Sequence, residues 1–138
     1  MADYYTEFSF LIEDVTQEEA EWLTHTHSTG EYRDESGDKE SYENAFSLEI
    51  QENPDAHAWF SSGDGTPNIE ALMHFLQKFL KRFRKDTEVF FEWSYSCSKP
   101  RTDAYGGGAA LVTATKFATK NTADMLDDLK AEIKKESA

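Results

Sequence analysis

The stretch from Val89 to Ala114 constrains the fold of this chain most, because it contains two long apolar segments joined by a glycine-rich connection. In the first segment apolar side chains occupy every second position, at Val89, Phe91, Trp93, Tyr95 and Cys97. This period of two is typical of a strand that turns one face to a core. The second segment carries Leu111, Val112 and Ala114, which suit a pleated surface under a helix. We therefore expect a sheet covered by helices.

Three more segments have the pattern of strands. Tyr4 to Glu13 alternates apolar and polar residues, and Ala45 to Gln51 does the same after a long polar stretch. A strand from about Ala56 to Ser61 follows the turn residues Asn53-Pro54-Asp55. The segments on either side of this turn are predicted to form a hairpin.

Two helices are predicted between these strands. Thr16 to Glu19 matches a capping box, so the first helix is expected to begin at Gln17. Thr66 and Pro67 are predicted to cap and open the second helix, which runs to about Arg84 and has a continuous apolar stripe. This second helix is expected to be the main core helix.

The C-terminal segment predicts a further helix, capped by Asn121 or Thr122. Its first turns are acidic and its last turn is basic, which is the favourable order for the helix dipole. The side chains expected to face the core are Leu126, Leu129 and Ile133.

The predicted element order is β-α-β-β-α-β-β-α. Helices placed between runs of strands favour an α+β domain, with a mostly antiparallel sheet of about five strands and helices packed on one face. The first six elements have the order of a ferredoxin-like core, to which a strand and a helix would be added. Neither a repeat nor a long linker divides the sequence, so residues 1–138 are predicted to form one domain.

Composition limits the environment in which this chain is expected to work. No segment approaches the ~20 apolar residues of a membrane span, and residues 1–13 lack the pattern of a secretory signal. One cysteine cannot form an internal disulfide, which fits a reducing compartment. We therefore expect a cytoplasmic protein that does not bind membranes.

Charge is distributed unevenly along the chain. Met1 to Asp64 contains 17 acidic and 2 basic side chains, whereas Gly65 to Ala138 contains 10 acidic and 12 basic ones. The net charge of −13 therefore comes from the first half. Such a field repels nucleic acids and attracts cationic surfaces. Direct nucleic-acid binding is disfavoured, and the expected partner is another protein with a basic surface.

Ser28 to Asn44 is the most polar part of the acidic half, and we predict a mobile loop or an exposed hairpin there. Together with the first helix it could present carboxylates that imitate the phosphates of DNA. The residues that would form this surface are Glu18, Glu21, Glu31, Asp34, Glu35, Asp38, Glu40 and Glu43. The leading interpretation is a non-enzymatic binding protein, in its sharper form an inhibitor that occupies the nucleic-acid site of a defence nuclease or similar protein. The plain alternative is an acidic surface that only promotes solubility.

Two connections favour a different interpretation. Residues 99–108 combine two cations with bare glycine amides, and residues 61–66 lead into a helix whose first amides could bind an anion. A small-ligand, anion-binding or hydrolytic site there would use Ser61, Ser62, Asp64, Lys99, Arg101, Tyr105, Gly106 and Gly107. The glycine spacing matches neither a nucleotide loop nor a hydrolase elbow. Both connections therefore also fit plain turns that need glycine for positive φ or for close approach.

The pattern contains no complete catalytic or metal-binding set. Cys97 shares the apolar strand face and is predicted to be buried and inert. No histidine or cysteine cluster has zinc spacing, so neither a metal nor a cofactor is expected. The second helix also carries a basic stripe of His74, Lys78, Lys81 and Lys85. We interpret this stripe as a solvated face, or as the part that meets the acidic half of another copy in a homodimer.

Several short segments carry a resemblance to known proteins. They are Trp59-Phe60-Ser61-Ser62, Asp64-Gly65-Thr66-Pro67-Asn68, Glu92 to Arg101 and Gly106-Gly107-Gly108-Ala109. With these segments the chain resembles a group of small acidic single-domain proteins of bacteria, plasmids and phages that has no known activity. The resemblance implies a bacterial or mobile-element origin and supplies no active-site residues.

Overall fold

The computed structural model describes residues 4–33, 36–52, 55–63, 67–99 and 105–136. Its four helices are α1 Gln17–Thr29, α2 Tyr42–Ala45, α3 Ile69–Phe83 and α4 Thr122–Glu136. Its strands are β1 Tyr4–Glu7, β2 Ser9–Ile12, β3 Glu31–Arg33, β4 Lys39–Ser41, β5 Ser47–Gln51, β6 His57–Ser61, β7 Val89–Cys97, β8 Gly106–Val112 and β9 Phe117–Asn121.

These strands form three sheets. The large sheet has the order β1-β7-β8-β9, the small sheet has the order β2-β6-β5, and β3 pairs with β4 in a two-stranded hairpin. Every described pairing is antiparallel. The predicted α+β class with mostly antiparallel sheet is therefore confirmed. Nine strands are described where about five were predicted, and the difference has three physical causes.

The first cause is a break at Phe8 in the strand predicted from Tyr4 to Glu13. Before the break, Glu7 pairs with Ser94 of β7 in the large sheet. After it, Ser9 pairs with Ser61 of β6 in the small sheet. Phe8 itself is only 6% exposed, and its carbonyl accepts a hydrogen bond from the Ser62 amide at 3.1 Å. One alternating segment thus pairs with strands of two sheets, and the alternation of apolar and polar residues does not show where the pairing changes.

The second cause is the acidic segment, which was predicted to be a loop or an exposed hairpin. It contains the β3–β4 hairpin, with Tyr32 opposite Glu40, and the short helix α2. Tyr42 of α2 is 1% exposed, and its ring stacks on that of Tyr32 at 5.1 Å between centroids. The Tyr32 hydroxyl accepts a hydrogen bond from the Asn68 side chain at 2.7 Å. Tyr32 and Tyr42 therefore anchor this segment to the core.

The third cause is β9, which pairs with β8 so that Thr119 lies opposite Ala110. Three of its five residues are exposed, because it is the edge strand of the large sheet. An exposed edge needs no regular apolar alternation. The sequence FATKN accordingly gives no strand signal.

The core lies between the sheets and the helices α1 and α3. As predicted, the apolar stripe of α3 is buried, with Leu72, Leu76 and Leu80 all at 0% exposure. Phe75 of the same helix is also fully buried among aromatic rings. The start of this helix differs from the prediction, because the cap is Asn68, whose Oδ1 accepts from the Ala71 amide at 3.0 Å. The predicted cap Thr66 lies outside the described residues.

Helix α1 begins as predicted. The Thr16 hydroxyl accepts a hydrogen bond from the Glu19 amide at 3.1 Å, and the Glu19 carboxylate accepts one from the Thr16 amide at 2.9 Å. Both halves of the capping box are therefore formed. Leu23 is 0% exposed and fixes the inner face of the helix.

The prediction for α4 is half right. Asn121 is the cap, since its Oδ1 accepts from the Asp124 amide at 2.9 Å. The side chains expected to face the core do not: Leu126, Leu129 and Ile133 are 56%, 50% and 64% exposed. The period of 3.6 identified the helix correctly, but it gives no information about what covers the apolar side.

The glycine-rich connection leads from β7 into β8, so the predicted strand-to-strand hairpin is confirmed. Gly106 has a φ of +136°, which favours glycine. Gly107 lies opposite Ser94, and a Cβ added there would overlap the carbonyl oxygen of Trp93. These two glycines are explained by backbone geometry.

We expect Gly107→Ala to lower the free energy of unfolding by about 3 kcal/mol, because the methyl group must push β8 away from β7. Urea denaturation measures this loss. The matched control is Gly37→Ala, where an added Cβ meets no atom within 4 Å. Gly37 has a φ of +89°, so its cost is limited to backbone strain of about 1 kcal/mol. Equal losses in the two variants would contradict the close-approach explanation.

Candidate functional site

The predicted acidic surface lies on four neighbouring elements. Glu18 and Glu21 are exposed on α1, and the remaining described members are on or beside the β3–β4 hairpin and α2. All of these described carboxylates are exposed, namely Glu18, Glu21, Glu31, Asp38, Glu40 and Glu43. Asp34 and Glu35 lie outside the described residues. The structure therefore gives the positions of six of the eight predicted members.

These elements form one continuous part of the molecule. Helix α1 contacts α2 and β4, and α2 contacts both β4 and α3. The chain leaves α1 through Gly30, whose carbonyl accepts a hydrogen bond from the Tyr42 amide at 3.2 Å. Near the end of α1, His27 hydrogen-bonds the carbonyl of Phe46 at 2.8 Å. The elements that carry these carboxylates are consequently neighbours, held by backbone and core contacts.

Basic side chains lie beside this surface, and Lys78 of α3 is 5.5 Å from the centroid of the Tyr42 ring, next to Glu43. Lys39 lies 3.7 Å from Glu31 across the hairpin, with both side chains more than 60% exposed. An exposed pair of this kind contributes about 0–1 kcal/mol. Between described residues, the ion pair that joins a cation of the second half to a carboxylate of the first half is Arg84 with Glu19. Glu19 is 5% exposed and is not a member of the acidic surface.

A groove of about 780 Å³ runs between α1 and β5, next to the acidic surface. Its floor is apolar, and its walls carry hydroxyl, amide, imidazole and carboxylate groups. The lining residues are Val15, Thr16, Gln17, Ala20, Glu21, Thr24, His25, Ser28, Ile50, Glu52 and Ala56. β5 is the edge strand of the small sheet. The sequence did not reveal this groove, because its two walls are about thirty residues apart.

The alternative ligand site is only partly assembled. Ser61 and Ser62 line a cleft of about 610 Å³ with Tyr5, Glu7, Phe8, Ser9, Trp59 and Gly63. The Trp59 indole donates a hydrogen bond to the Ser9 hydroxyl at 2.7 Å. Asp64 and Arg101 lie outside the described residues. Among the residues that line this cleft, none comes from the described part of the 99–108 connection.

Strand pairing explains this separation. Gly106 lies opposite Tyr95 on β7, and Tyr95 lies opposite Thr6 on β1, all in the large sheet. Ser61 pairs with Ser9 in the small sheet instead. Strands β7 and β1 therefore stand between the glycines and the serines. Tyr105 is 55% exposed and Lys99 is exposed, and neither contributes to the cleft.

A third crevice, of about 910 Å³, lies where β2 and β7 separate after Phe8. Its cation is Arg84, which donates to the Glu19 carboxylate at 2.8 Å and to the carbonyls of Glu13 and Asp14 at 3.0 Å each. Burial alone would raise the pKa of Glu19, but the hydrogen bonds from Arg84 and Thr16 and the charge of Arg84 outweigh it and lower the pKa. Because this guanidinium is already paired, the crevice is not an anion site.

Cys97 is half-buried, not fully buried as predicted, because β7 leaves the core towards its end. Tyr95, two residues earlier, is 36% exposed. Within the described ranges, no group of three or more histidine, cysteine or acidic side chains is arranged to hold a metal ion. In the same part of the chain, no helix is both long and apolar enough to cross a membrane.

Comparison of this chain with protein-family models, with curated proteins and with solved structures finds no match.

Proposed function

We propose that this protein is a non-enzymatic binding protein whose acidic surface engages a basic surface of another protein. The observation that carries the proposal is the exposure of six carboxylates on contiguous elements, of which Glu31 is paired with Lys39 across the hairpin. Opposite potentials across an interface accelerate encounter and select the partner. We propose that the interaction takes place in the cytoplasm of a bacterial host.

In its sharper form, the proposal is that this surface imitates nucleic acid. Glu18 and Glu21 are three residues apart on α1, which separates them by about 4.5 Å along the helix axis. Phosphates along one DNA strand rise by about 3.4 Å per nucleotide along the duplex axis. The spacing of these carboxylates thus supports occupation of a basic nucleic-acid site, such as that of a defence nuclease.

The groove between α1 and β5 offers the centre of the contact. Glu21 and Glu52 stand on its walls, and Ile50 supplies apolar surface below them. Lysine and arginine side chains bury their apolar stems while their charged ends stay near carboxylates. A basic segment of the partner would therefore place its stems in the groove and its charges on the acidic rim.

The arrangement of the sheets supports a ferredoxin-like core. If β1 and β2 are counted as one strand, the order is β5, β6, β1/β2 and β7, all antiparallel. We infer that α1 and α3 complete this core, and that β8, β9 and α4 are additions to it.

The alternative of an anion or hydrolytic site has less support. The cleft beside Ser61 contains Glu7 and no cation among its lining residues. An anion would therefore meet a carboxylate there without a compensating positive charge. Direct binding of nucleic acid by this protein has no support either, since the exposed carboxylates repel phosphate.

Charge reversal tests the proposal. The variant is Glu18→Lys/Glu21→Lys, and the control Asp86→Lys/Glu92→Lys changes the net charge equally at exposed residues outside the acidic surface. Each protein is immobilised, and the retained proteins of a bacterial lysate are identified. We expect at least one nucleic-acid-binding protein on the wild-type and control columns, with retention at least about tenfold lower on the Glu18/Glu21 variant.

Two further measurements complete the test. Duplex DNA should compete with the acidic protein for the retained partner, and about 0.5 M salt should release it. Retention that neither salt nor the Glu18/Glu21 reversal changes would contradict the acidic-surface proposal. If salt and the Glu18/Glu21 reversal both abolish retention but duplex DNA does not compete for the partner, only the nucleic-acid form of the proposal is contradicted.

A further inference from the structure

Helix α4 presents an apolar stripe to solvent. Every residue from Thr122 to Glu136 is exposed, whereas α1 and α3 each bury at least two residues. The apolar side chains Met125, Leu126 and Leu129 are 48%, 56% and 50% exposed, and Ile133 on the same side is 64% exposed. An isolated helix of about 15 residues is marginal in water, and most helices owe their stability to the packing of an apolar face. The stripe is therefore an interaction surface.

The neighbouring face of the large sheet is apolar as well. Phe90 on β7 is 72% exposed and lies opposite Leu111 on β8, which is 43% exposed. Lys120 of β9 forms an exposed ion pair with Asp128 in the second turn of α4. The stripe and the Phe90–Leu111 pair are exposed apolar groups on α4 and on the sheet that α4 contacts, and exposed apolar areas on a folded chain mark interfaces.

We propose that a second copy of this chain covers this area, with the two α4 helices packed antiparallel about a twofold axis. The charges along α4 select this arrangement. Its first half carries Asp124, Asp127 and Asp128 and no cation, and its second half carries three lysines against two glutamates. A parallel pair would place aspartates beside aspartates, whereas an antiparallel pair places them at the level of the lysines.

The position of the apolar stripe along α4 also fits a twofold axis. Leu129 is the central residue of the fifteen in α4. In a fully overlapping antiparallel pair, Leu129 meets its own copy at the axis, and Met125 lies at the level of Ile133 in the other copy. Apolar side chains therefore meet apolar side chains along the whole stripe, as an isologous interface requires.

The size of the surface indicates a modest affinity. A helix of 15 residues is about 22 Å long, and a stable interface needs about 800 Å² from each partner. One helical stripe is smaller than that, so the contact should extend to Phe90 and Leu111 on each copy. We expect a dimer that forms at micromolar concentration.

Sedimentation over a concentration series tests the proposal. The wild type should change from monomer to dimer, whereas Leu129→Glu should dissociate about a hundredfold more readily, because it brings two carboxylates together at the axis. The control is Ala131→Glu, which adds the same side chain on the opposite side of α4 and should dimerise like the wild type. Circular dichroism should report the same fold for all three, since both positions are exposed in the single chain.

A cysteine cross-link tests the register in the folded protein. In a Cys97→Ser background, Leu129→Cys should form a disulfide between two copies on mild oxidation, and Ala131→Cys should not. A wild type that stays monomeric at about a hundred times the expected dissociation constant would overturn the proposal. In that case the stripe is covered by its own sheet or by a different protein. Equal cross-linking through both positions would overturn the antiparallel arrangement.

Discussion

Phe75→Ala is expected to lower the free energy of unfolding by about 4 kcal/mol, a large part of the stability of a domain of this size. The Phe75 ring is fully buried, with centroids 5.0 Å from Phe46, 5.2 Å from Tyr42 and 5.5 Å from Trp22. These neighbours come from α1, α2 and the residue after α2. Because α1 and the α2 segment both meet α3 on this ring, the cavity left by alanine cannot be filled by the movement of one of them.

The control for this experiment is Phe90→Ala, which removes the same ring from a position that is 72% exposed. Both changes are made in the Leu129→Glu background, so that self-association does not contribute to the measured stability. Urea unfolding should show a change of less than about 0.5 kcal/mol for Phe90→Ala. A loss below about 1.5 kcal/mol for Phe75→Ala would mean that the aromatic cluster does not hold the hairpin to the core.

The second large effect is expected at Arg84. Arg84→Ala leaves Glu19, which is 5% exposed, without its cation, and it removes the hydrogen bonds to the carbonyls of Glu13 and Asp14. Loss of one partner from a largely buried ion pair costs about 3 kcal/mol. Urea unfolding at neutral pH measures this loss. Lys81→Ala, at an exposed position near the same end of α3, is the control and should change stability by less than about 0.5 kcal/mol.

The pH dependence gives an independent test of the same pair. The pKa of Glu19 is lowered from its ordinary value of 4.5, so its stabilising contribution is complete above that value and is lost as the pH falls through the lower folded-state pKa. The stability difference between wild type and Glu19→Gln should therefore be largest near neutral pH and shrink in acid. A difference that stays constant down to about pH 2 would contradict the ion pair as its source.

The parts of the fold that could be predicted are those with strong local signals. Thr16 and Glu19 are three residues apart, and the capping box that they form depends on nothing else in the chain. The buried face of α3 follows from the period of its leucines. The α+β class follows from the order of such elements. In each case the physical cause lies within one segment of sequence.

Other parts depend on contacts between distant segments. Phe8 interrupts a regular alternation only because β6 offers a second edge to pair with. Tyr42 lies in a charged stretch, and its burial depends on Phe75 and Tyr32 around it. The stripe of α4 has the same pattern as a buried helix, and only the three-dimensional structure places it on the outside.

The candidate site also combines features that follow from local sequence with features that depend on contacts between distant segments. That Glu18, Glu21, Glu31, Asp38, Glu40 and Glu43 are exposed follows from their charge, because carboxylates are seldom buried without a partner. That the elements carrying them are neighbours depends on the contact of α1 with β4 and α2. The groove between α1 and β5 and the separation of Ser61 from Gly106 depend on strand order, which no local pattern encodes.

Glu19 has two functions that connect remote ends of two helices. Its carboxylate closes the first turn of α1 through Thr16, and it also binds Arg84, 65 residues later, at the end of α3. Fraying of either terminus removes a partner from the other, so local unfolding of the two should be cooperative and their amides should exchange with solvent together. A single carboxylate thereby makes two helix ends, which would otherwise open independently, into one unit of native-state dynamics.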